Sequence, residues 1–420
     1  MGIGRIIKKE IFDLAKRNKA FRVAGRGMRD ALYRAKMTMD KPFGKVDDKL
    51  IYFQTFSGRG YSDSPKAIYE YIMASPEYRD YRFVWSFREP EKYDNVDDLD
   101  NERTKIVKFR SREDNVALRS AKYWITNYRM LDHQYPRKGQ VYVQCWHGTP
   151  LKRLGYDIQE GDNVMNSLSE VREKYRTDAK KFSYLLSPSP FATEKFATAW
   201  NLIKTGQTKK ILELGYPRND RLVNATEEER SEIRKELGLS DKKVVLYAPT
   251  WRDNQHTSGE GYTYKTEVDF DKLREKLGDA YVILFRAHYL VANSFDFAKY
   301  DGFIKDVSGY SDITDLYIAS DMLVTDYSSV FFDYANLEKP IIFYMYDLDY
   351  YAAELRGFYL GIDELPGAVV KEEESLINEI KGADGWEPDE KYQDFRARFN
   401  PLDDGHASER LIERIIGDIK

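Results

Sequence analysis

The chain has one cysteine in 420 residues, Cys145, so it can close no internal disulfide, and such sparse thiol usage fits a reducing compartment. Five histidines and that one thiol offer no ligand spacing for a structural zinc site. No apolar run approaches the roughly 18 residues needed to span a bilayer, and the first residues lack the pattern of a secretory signal. A Walker loop, a G-x-S-x-G elbow, internal repeats and low-complexity tracts are missing too. Chemistry, if there is any, must then rest on protein cations, imidazoles, hydroxyls and helix ends.

Hydrophobic residues make up 42 % of the chain and aromatics 14 %, enough for well-filled cores, while 32 % charged residues predict a polar surface. A length of 420 residues predicts two domains of near-equal size. The total charge of −4 hides an asymmetry. Residues 1–46 hold thirteen Lys/Arg against four Asp/Glu, a net +9 that leaves −13 on the remainder. In this arm Ile3, Ile7, Ile11 and Leu14 fall on one helical stripe, with Arg5, Lys8, Lys9, Lys16 and Lys19 mostly off it. A basic amphipathic helix of this kind suits an anionic membrane surface, with a solvated helix packed on the body as the alternative. Aromatic interleaving is too sparse to favour nucleic acid.

From Lys49 onward, β-rich runs alternate with helical ones, the rhythm of a parallel sheet. Lys49–Phe53, Arg82–Phe87, Thr104–Phe109, Tyr123–Thr126, Val141–Trp146, Phe182–Leu186 and Leu212–Gly215 read as strands of a first Rossmann-like domain, 47–223. A charged stretch, Asn224–Asp241, separates it from a second such domain, 224–420. There Val244–Ala248, Tyr281–Phe285, Met322–Thr325 and Pro340–Phe343 read as strands, Val330–Leu337 as a helix, and the last helix starts near Ala407 or Ser408.

Several candidate functional residues stand where these strands end. His147 follows a buried strand and precedes Gly148, a placement for a general base near neutral pH, or for a histidine hydrogen-bonded in a domain interface. Cys145 lies two residues earlier, which raises a thiol–imidazole pair, but a mid-strand cysteine reads as core. Arg286 and His288 alternate with Phe285 and Ala287 at a second strand end, where a guanidinium and an imidazole suit a diphosphate; an arginine paired with an acidic residue is the alternative. The turn Thr325-Asp326-Tyr327-Ser328-Ser329 puts hydroxyls at a strand-to-helix junction, where α/β proteins bind phosphate, although a capped turn can also serve packing alone. Asp326 repels phosphate unless it orients a hydroxyl or binds a metal. Lys152, Arg153 and Arg252 add positive charge or are solvated loop residues.

Taken together, SGRGYSDSPKAIYEY, CWHGTPLKRLGYD, YAPTWRD, FRAH, TDYSS, RGFY and DGHASER resemble the CDP-glycerol:poly(glycerophosphate) glycerophosphotransferase family of teichoic-acid synthesis, from about residue 48 to the end. The resemblance implies a GT-B-like α/β fold, two Rossmann-like parallel-sheet domains facing across a cleft. It implies transfer of a polyol phosphate from a CDP-glycerol or CDP-ribitol donor to a lipid-linked acceptor, with release of CMP, by a peripheral protein on the cytoplasmic face of the cell membrane. It gives His147 and His288 as catalytic histidines, with His147 the base. Arg286, His288, Thr325, Asp326, Ser328 and Ser329 become donor phosphate contacts, and Pro249, Thr250, Arg252 and Lys152 candidate nucleotide or phosphate contacts. No tightly bound cofactor and no metal site are expected; a divalent-metal requirement and the oligomeric state are not set by the pattern. The runner-up is a GT-B glycosyltransferase using a nucleotide sugar, and a non-enzymatic alternative is a membrane-bound nucleotide-binding scaffold.

Overall fold

The computed structural model of the chain describes residues 24–25, 27–28, 30–33, 35, 45–162, 167–239, 241–250, 256–257, 261–262, 268–287, 297–348 and 357–417. The apolar stripe and most charges of the basic arm lie outside them, as do Arg252 and His288. Among the described residues no helix is long and apolar enough to cross a membrane.

The first sheet has seven strands: β1 (Asp47–Gln54), β2 (Arg82–Phe87), β3 (Thr104–Lys108), β4 (Ala121–Thr126), β5 (Val141–Gln144), β6 (Tyr184–Ser187) and β7 (Ile211–Glu213). Their spatial order is β3-β2-β1-β4-β5-β6-β7, and every pairing is parallel. Helices cover both faces, which is why the strands read as nearly unbroken apolar runs. Alternation sorts the side chains. Ile51, Phe53, Trp85, Tyr123 and Cys145 enter one core with Ile68 and Ile72 of the helix Asp63–Ala74. Tyr52, Val84, Trp124 and Tyr142 enter the other, against the helices Arg112–Ser120, Leu168–Ala179 and Pro190–Ala199.

The second sheet is β8 (Lys243–Ala248), β11 (Tyr281–Phe285), β12 (Ile304–Asp306), β13 (Met322–Thr325), β14 (Ile341–Tyr344) and β15 (Ala368–Val370), in the all-parallel order β12-β11-β8-β13-β14-β15. A short antiparallel pair, β9 (His256–Thr257) and β10 (Gly261–Tyr262), stands apart from it. Both sheets reverse their winding beside their first strand, between β1 and β4 and between β8 and β13. Crevices open at such switch points, outside the carboxyl ends of the strands.

Two elements differ from the sequence reading. The helix Ala407–Ile416, assigned by position to the second unit, packs Leu411, Ile412 and Ile415 into the core of the first sheet. Its place at the end of the chain follows the second sheet in sequence, so the return to the first is a long-range feature that no local pattern announces. The expected helix Val330–Leu337 is an α-helix only over Val330–Tyr334 and tightens to a 3-10 turn over Ala335–Leu337, with Glu338 left-handed at its end. The dipole behind Ser328-Ser329 is therefore short.

Candidate active site

β5 ends at Gln144, and the chain then turns on Trp146, whose φ of 57° is unusual for a bulky residue. The Gln144 side-chain carbonyl accepts the Trp146 backbone N–H at 3.0 Å and helps hold the turn. His147 follows, half-buried, with Nδ1 2.8 Å from the Asn127 carbonyl oxygen. A carbonyl only accepts, so Nδ1 carries the proton and Nε2 keeps its lone pair. Burial lowers the imidazole below its ordinary pKa, while the Asn127 contact and Asp63 pull it upward and Arg218 and Arg129 push it down. The ring is therefore a neutral base at neutral pH. Phe56 and Tyr128 flank it, with centroids 6.0 and 5.8 Å away.

Gly148 brings this loop against the second domain. Its φ is 150°, and a Cβ there would stand 3.0 Å from the Ser329 Oγ. On that opposing side, Thr325 is fully buried and donates its hydroxyl to the Ala248 carbonyl at 2.8 Å. Asp326 accepts the Thr250 N–H at 2.8 Å, the Thr250 hydroxyl at 2.7 Å and the Tyr327 N–H at 2.6 Å. Thr325 and Asp326 thus tie the ends of β8 and β13 together, and in these contacts the Asp326 carboxylate orients a hydroxyl. Ser328 and Ser329 remain half-exposed, and the Ser329 side chain makes no capping bond. Pro249 is buried at the end of β8.

Two cavities meet at His147 and Ser329. One, of about 250 Å³, is lined by His147, Lys152, Thr250, Ser328 and Ser329 among others. The other, of about 210 Å³, adds Asp63, Arg218 and Arg286. Arg286 donates through Nη1 to the carbonyls of Val307 and Tyr310, at 3.0 and 2.8 Å, and among the described residues no carboxylate lies within bonding distance of its guanidinium. Sequence reasoning placed His147, Lys152, Thr250, Arg286, Ser328 and Ser329 as candidates, and all six line this cleft. Cys145 lies in the core at 0 % exposure, where burial pushes its thiol well up, so the thiol–imidazole pair is set aside. Among the described residues no cluster of three or more His, Cys, Asp or Glu is arranged to hold a metal.

The contacts that fix the cleft were not foreseen. Arg218, nearly buried, reaches Asp63 at 3.1 Å and Asp333 at 2.7 Å. Lys66 pairs with Asp312 at 3.0 Å from one domain to the other. Residues 357–359 pair across as well: Arg153 N–H meets the Gly357 carbonyl at 2.9 Å, and the Tyr359 N–H meets the Leu151 carbonyl at 2.8 Å. The Tyr359 hydroxyl donates to Asp157 at 2.5 Å. One local signal was available, Pro217-Arg218 opening a helix three residues after β7 ends. Backbone strain marks the same region. Phe56, Ser57, Asp63, Arg110 and Trp146 all have positive φ and follow strands of the first sheet, and such residues gather at functional sites.

Two parallel sheets that present a histidine loop and a hydroxyl-rich turn to one cleft define a GT-B-like transferase architecture. The chain belongs to the CDP-glycerol:poly(glycerophosphate) glycerophosphotransferase family, which it matches over residues 33–417. It is 41 % identical over 381 residues to the teichoic acid poly(glycerol phosphate) polymerase of Staphylococcus epidermidis, covering 89 % of this chain and 51 % of that one, so it spans about half the length of that relative. With the teichoic acid glycerol-phosphate transferase of Staphylococcus aureus it shares 40 % identity over 387 residues, 90 % of this chain and 96 % of that protein. A solved structure of a variant of the wall teichoic acid polymerase TagF with CDPG is 38 % identical and matches with a TM-score of 0.83, covering 94 % of this chain and 97 % of that one.

Proposed function

We propose that the protein transfers glycerol phosphate, or another polyol phosphate, from a CDP-activated donor to a hydroxyl of a lipid-linked acceptor in the synthesis of teichoic acid or a related cell-surface polymer. The observation that carries this reading is the meeting of His147 with Ser328, Ser329 and Arg286 around one cleft. In the reaction the acceptor oxygen attacks the polyol-bearing phosphorus, His147 Nε2 takes the hydroxyl proton, and the P–O bond to CMP breaks. Negative charge shed onto CMP is met by Arg286, Lys152 and the serine hydroxyls, an electrostatic and positioning task rather than covalent catalysis. Thr325 and Asp326 act behind them as positioning residues. The reading needs no tightly bound cofactor, and EDTA in the assay decides the divalent-metal requirement. The basic arm supports peripheral attachment to the anionic cytoplasmic face of the membrane.

The test is turnover of the purified protein with a lipid-linked acceptor and CDP-glycerol, CDP-ribitol or UDP-sugars. Release of CMP from a CDP-polyol, with polyol phosphate found on the acceptor by mass spectrometry, is expected. UDP release from a nucleotide sugar would replace this reading with glycosyl transfer, and nucleotide binding without turnover would replace it with the scaffold.

A further inference from the structure

A separate cavity of about 190 Å³ lies on the first domain, away from Ser328, Ser329 and Arg286. It is built from the ends of β1, β3 and β4, one face of the helix Leu168–Ala179, and Asp30 and Tyr33 of the segment preceding β1. Its link to the reacting centre is direct. Tyr128 lines it and also packs against the His147 ring. Arg129 lines it and is close enough to depress the His147 imidazole. Ser57 lines it next to Phe56, whose backbone N–H donates to the Asn127 side chain at 2.8 Å.

The lining carries four cations, Arg110, Arg129, Lys174 and Lys181, against three carboxylates, Asp30, Asp132 and Asp178. Not all of these are available to a ligand. Lys181 is buried and spends its ammonium on the Met130 and Leu131 carbonyls, at 3.2 and 2.7 Å, which stiffens the loop after β4. Asp178 is buried and accepts the Trp200 indole N–H at 3.0 Å. Arg110 is exposed, held at φ 64° by a 2.7 Å bond from its N–H to Asp114, with its guanidinium 5.6 Å from the centre of the Tyr33 ring. Arg129 lies over the Tyr175 ring at 4.9 Å, and its buried Nη1 has no hydrogen-bond partner among the described residues. Tyr33 also stacks on His133, whose buried Nδ1 likewise has none among the described residues. The site therefore combines two guanidiniums, aromatic walls and unmatched polar atoms, and its small positive excess suits a monoanion better than a dianion.

We propose that this cavity is a phosphodiester subsite for the acceptor, in which Arg110 and Arg129 hold a backbone phosphate of a polyol-phosphate chain while its terminal hydroxyl reaches His147. The proposal rests on the transfer reading above and adds to it where the acceptor binds. A phosphodiester carries one charge at neutral pH, its polyol can pack on Tyr33 and Tyr128, and the cavity lies on the His147 side of the cleft, opposite the donor-side cations.

The test uses the full chain and a soluble linear trimer of glycerol phosphate, titrated by calorimetry into the parent, Arg110→Gln and the double variant Arg110→Gln/Arg129→Gln, with thermal melts alongside. Trimer affinity should fall about 10-fold or more for each guanidinium lost, while CDP-glycerol affinity of Arg110→Gln stays at the parent value and inorganic phosphate binds more weakly than the trimer. Trimer affinity unchanged in well-folded Arg110→Gln and in the double variant, or no binding to the parent, overturns the subsite. Loss of binding to phosphatidylglycerol vesicles with trimer affinity intact assigns the guanidiniums to a lipid headgroup and also overturns it. Because trimer binding is read without turnover, a parent that releases no CMP from CDP-glycerol refutes the transfer reading separately.

Discussion

The guanidinium of Arg218 lies 2.7 Å from the Asp333 carboxylate, joining the helix Pro217–Asn224 to the short helix behind the Ser328-Ser329 turn. The same guanidinium meets Asp63 at 3.1 Å, and all three side chains are at most 10 % exposed. Burial alone would lower the Arg218 pKa, but Asp333 and Asp63 outweigh it and hold the charge on. Removing one member of such a group strands the others.

Arg218→Met should therefore destabilise the protein by roughly 3–5 kcal/mol, the range for leaving buried charges uncompensated. Urea denaturation measures it. The triple change Arg218→Met/Asp63→Asn/Asp333→Asn should recover part of the loss, since no bare carboxylate then stays behind. If Arg218→Met melts like the parent, the ion pairs do not hold the cleft.

The pH profile tests His147. Because burial keeps its folded pKa below the ordinary value of about 6.5, the acid limb of kcat/KM should fall below that pH and vanish in His147→Gln. Turnover of that variant should drop by at least the ~10²-fold typical of a lost general base. Linkage has the same sign. A histidine whose folded pKa is depressed stabilises the native state above its unfolded pKa and loses that contribution as pH falls through the folded one. An acid limb above pH 6.5, or one that survives in His147→Gln, would falsify the assignment.

Gly148 tests the approach of the two domains. In Gly148→Ala the new Cβ meets the Ser329 Oγ at 3.0 Å and φ stays at 150°, a backbone state that L residues rarely adopt. Strain of order 1–3 kcal/mol should appear in the melt, together with a lower kcat. Ser329→Gly added to Gly148→Ala relieves the contact but not the backbone strain. Because Ser329 is itself a proposed donor contact, the double variant is read by its melt: it should regain the steric part of the lost stability and keep the backbone part, and a double variant no more stable than Gly148→Ala would refute a steric block at the cleft.

The strands and the first ring of candidates were legible because parallel sheets put every strand's carboxyl end on one side. Reading where Val141–Trp146 or Met322–Thr325 stops was enough to place His147, Ser328 and Ser329 near a crevice. Their partners were hidden because no local periodicity encodes them. Arg218 lies 155 residues from Asp63 and 115 from Asp333. The helix Ala407–Ile416 follows the second sheet in sequence yet covers the first, a return of the chain that no local pattern encodes. Asp326 and Thr325 looked like ligands because the motif stands at a strand end, but side-chain direction sent both toward β8. His288 and Arg252 fall outside the described residues, and their assignments stay as the sequence and the resemblance left them.

Arg286 separates a donor contact from a structural arginine. Its Nη1 is committed to the Val307 and Tyr310 carbonyls, yet the side chain lines the cleft with His147 and Ser329. Burial lowers its pKa, but a guanidinium starts so high that it stays charged at any working pH. Among the described residues its hydrogen bonds go to carbonyls only, and a half-buried charge held in this way is costly until an anion arrives, so CDP-glycerol should bind the parent with a favourable enthalpy. Arg286→Ala should weaken that binding by roughly 1.5–3 kcal/mol, the worth of a charge-assisted hydrogen bond. Arg286→Lys should recover little of it, because an ammonium cannot bond both carbonyls and a diphosphate in the guanidinium's plane. Calorimetry beside thermal melts discriminates the two roles: an Arg286→Ala protein with parental donor affinity and a lowered melting temperature makes Arg286 a brace for the 307–310 loop and removes it from the donor site.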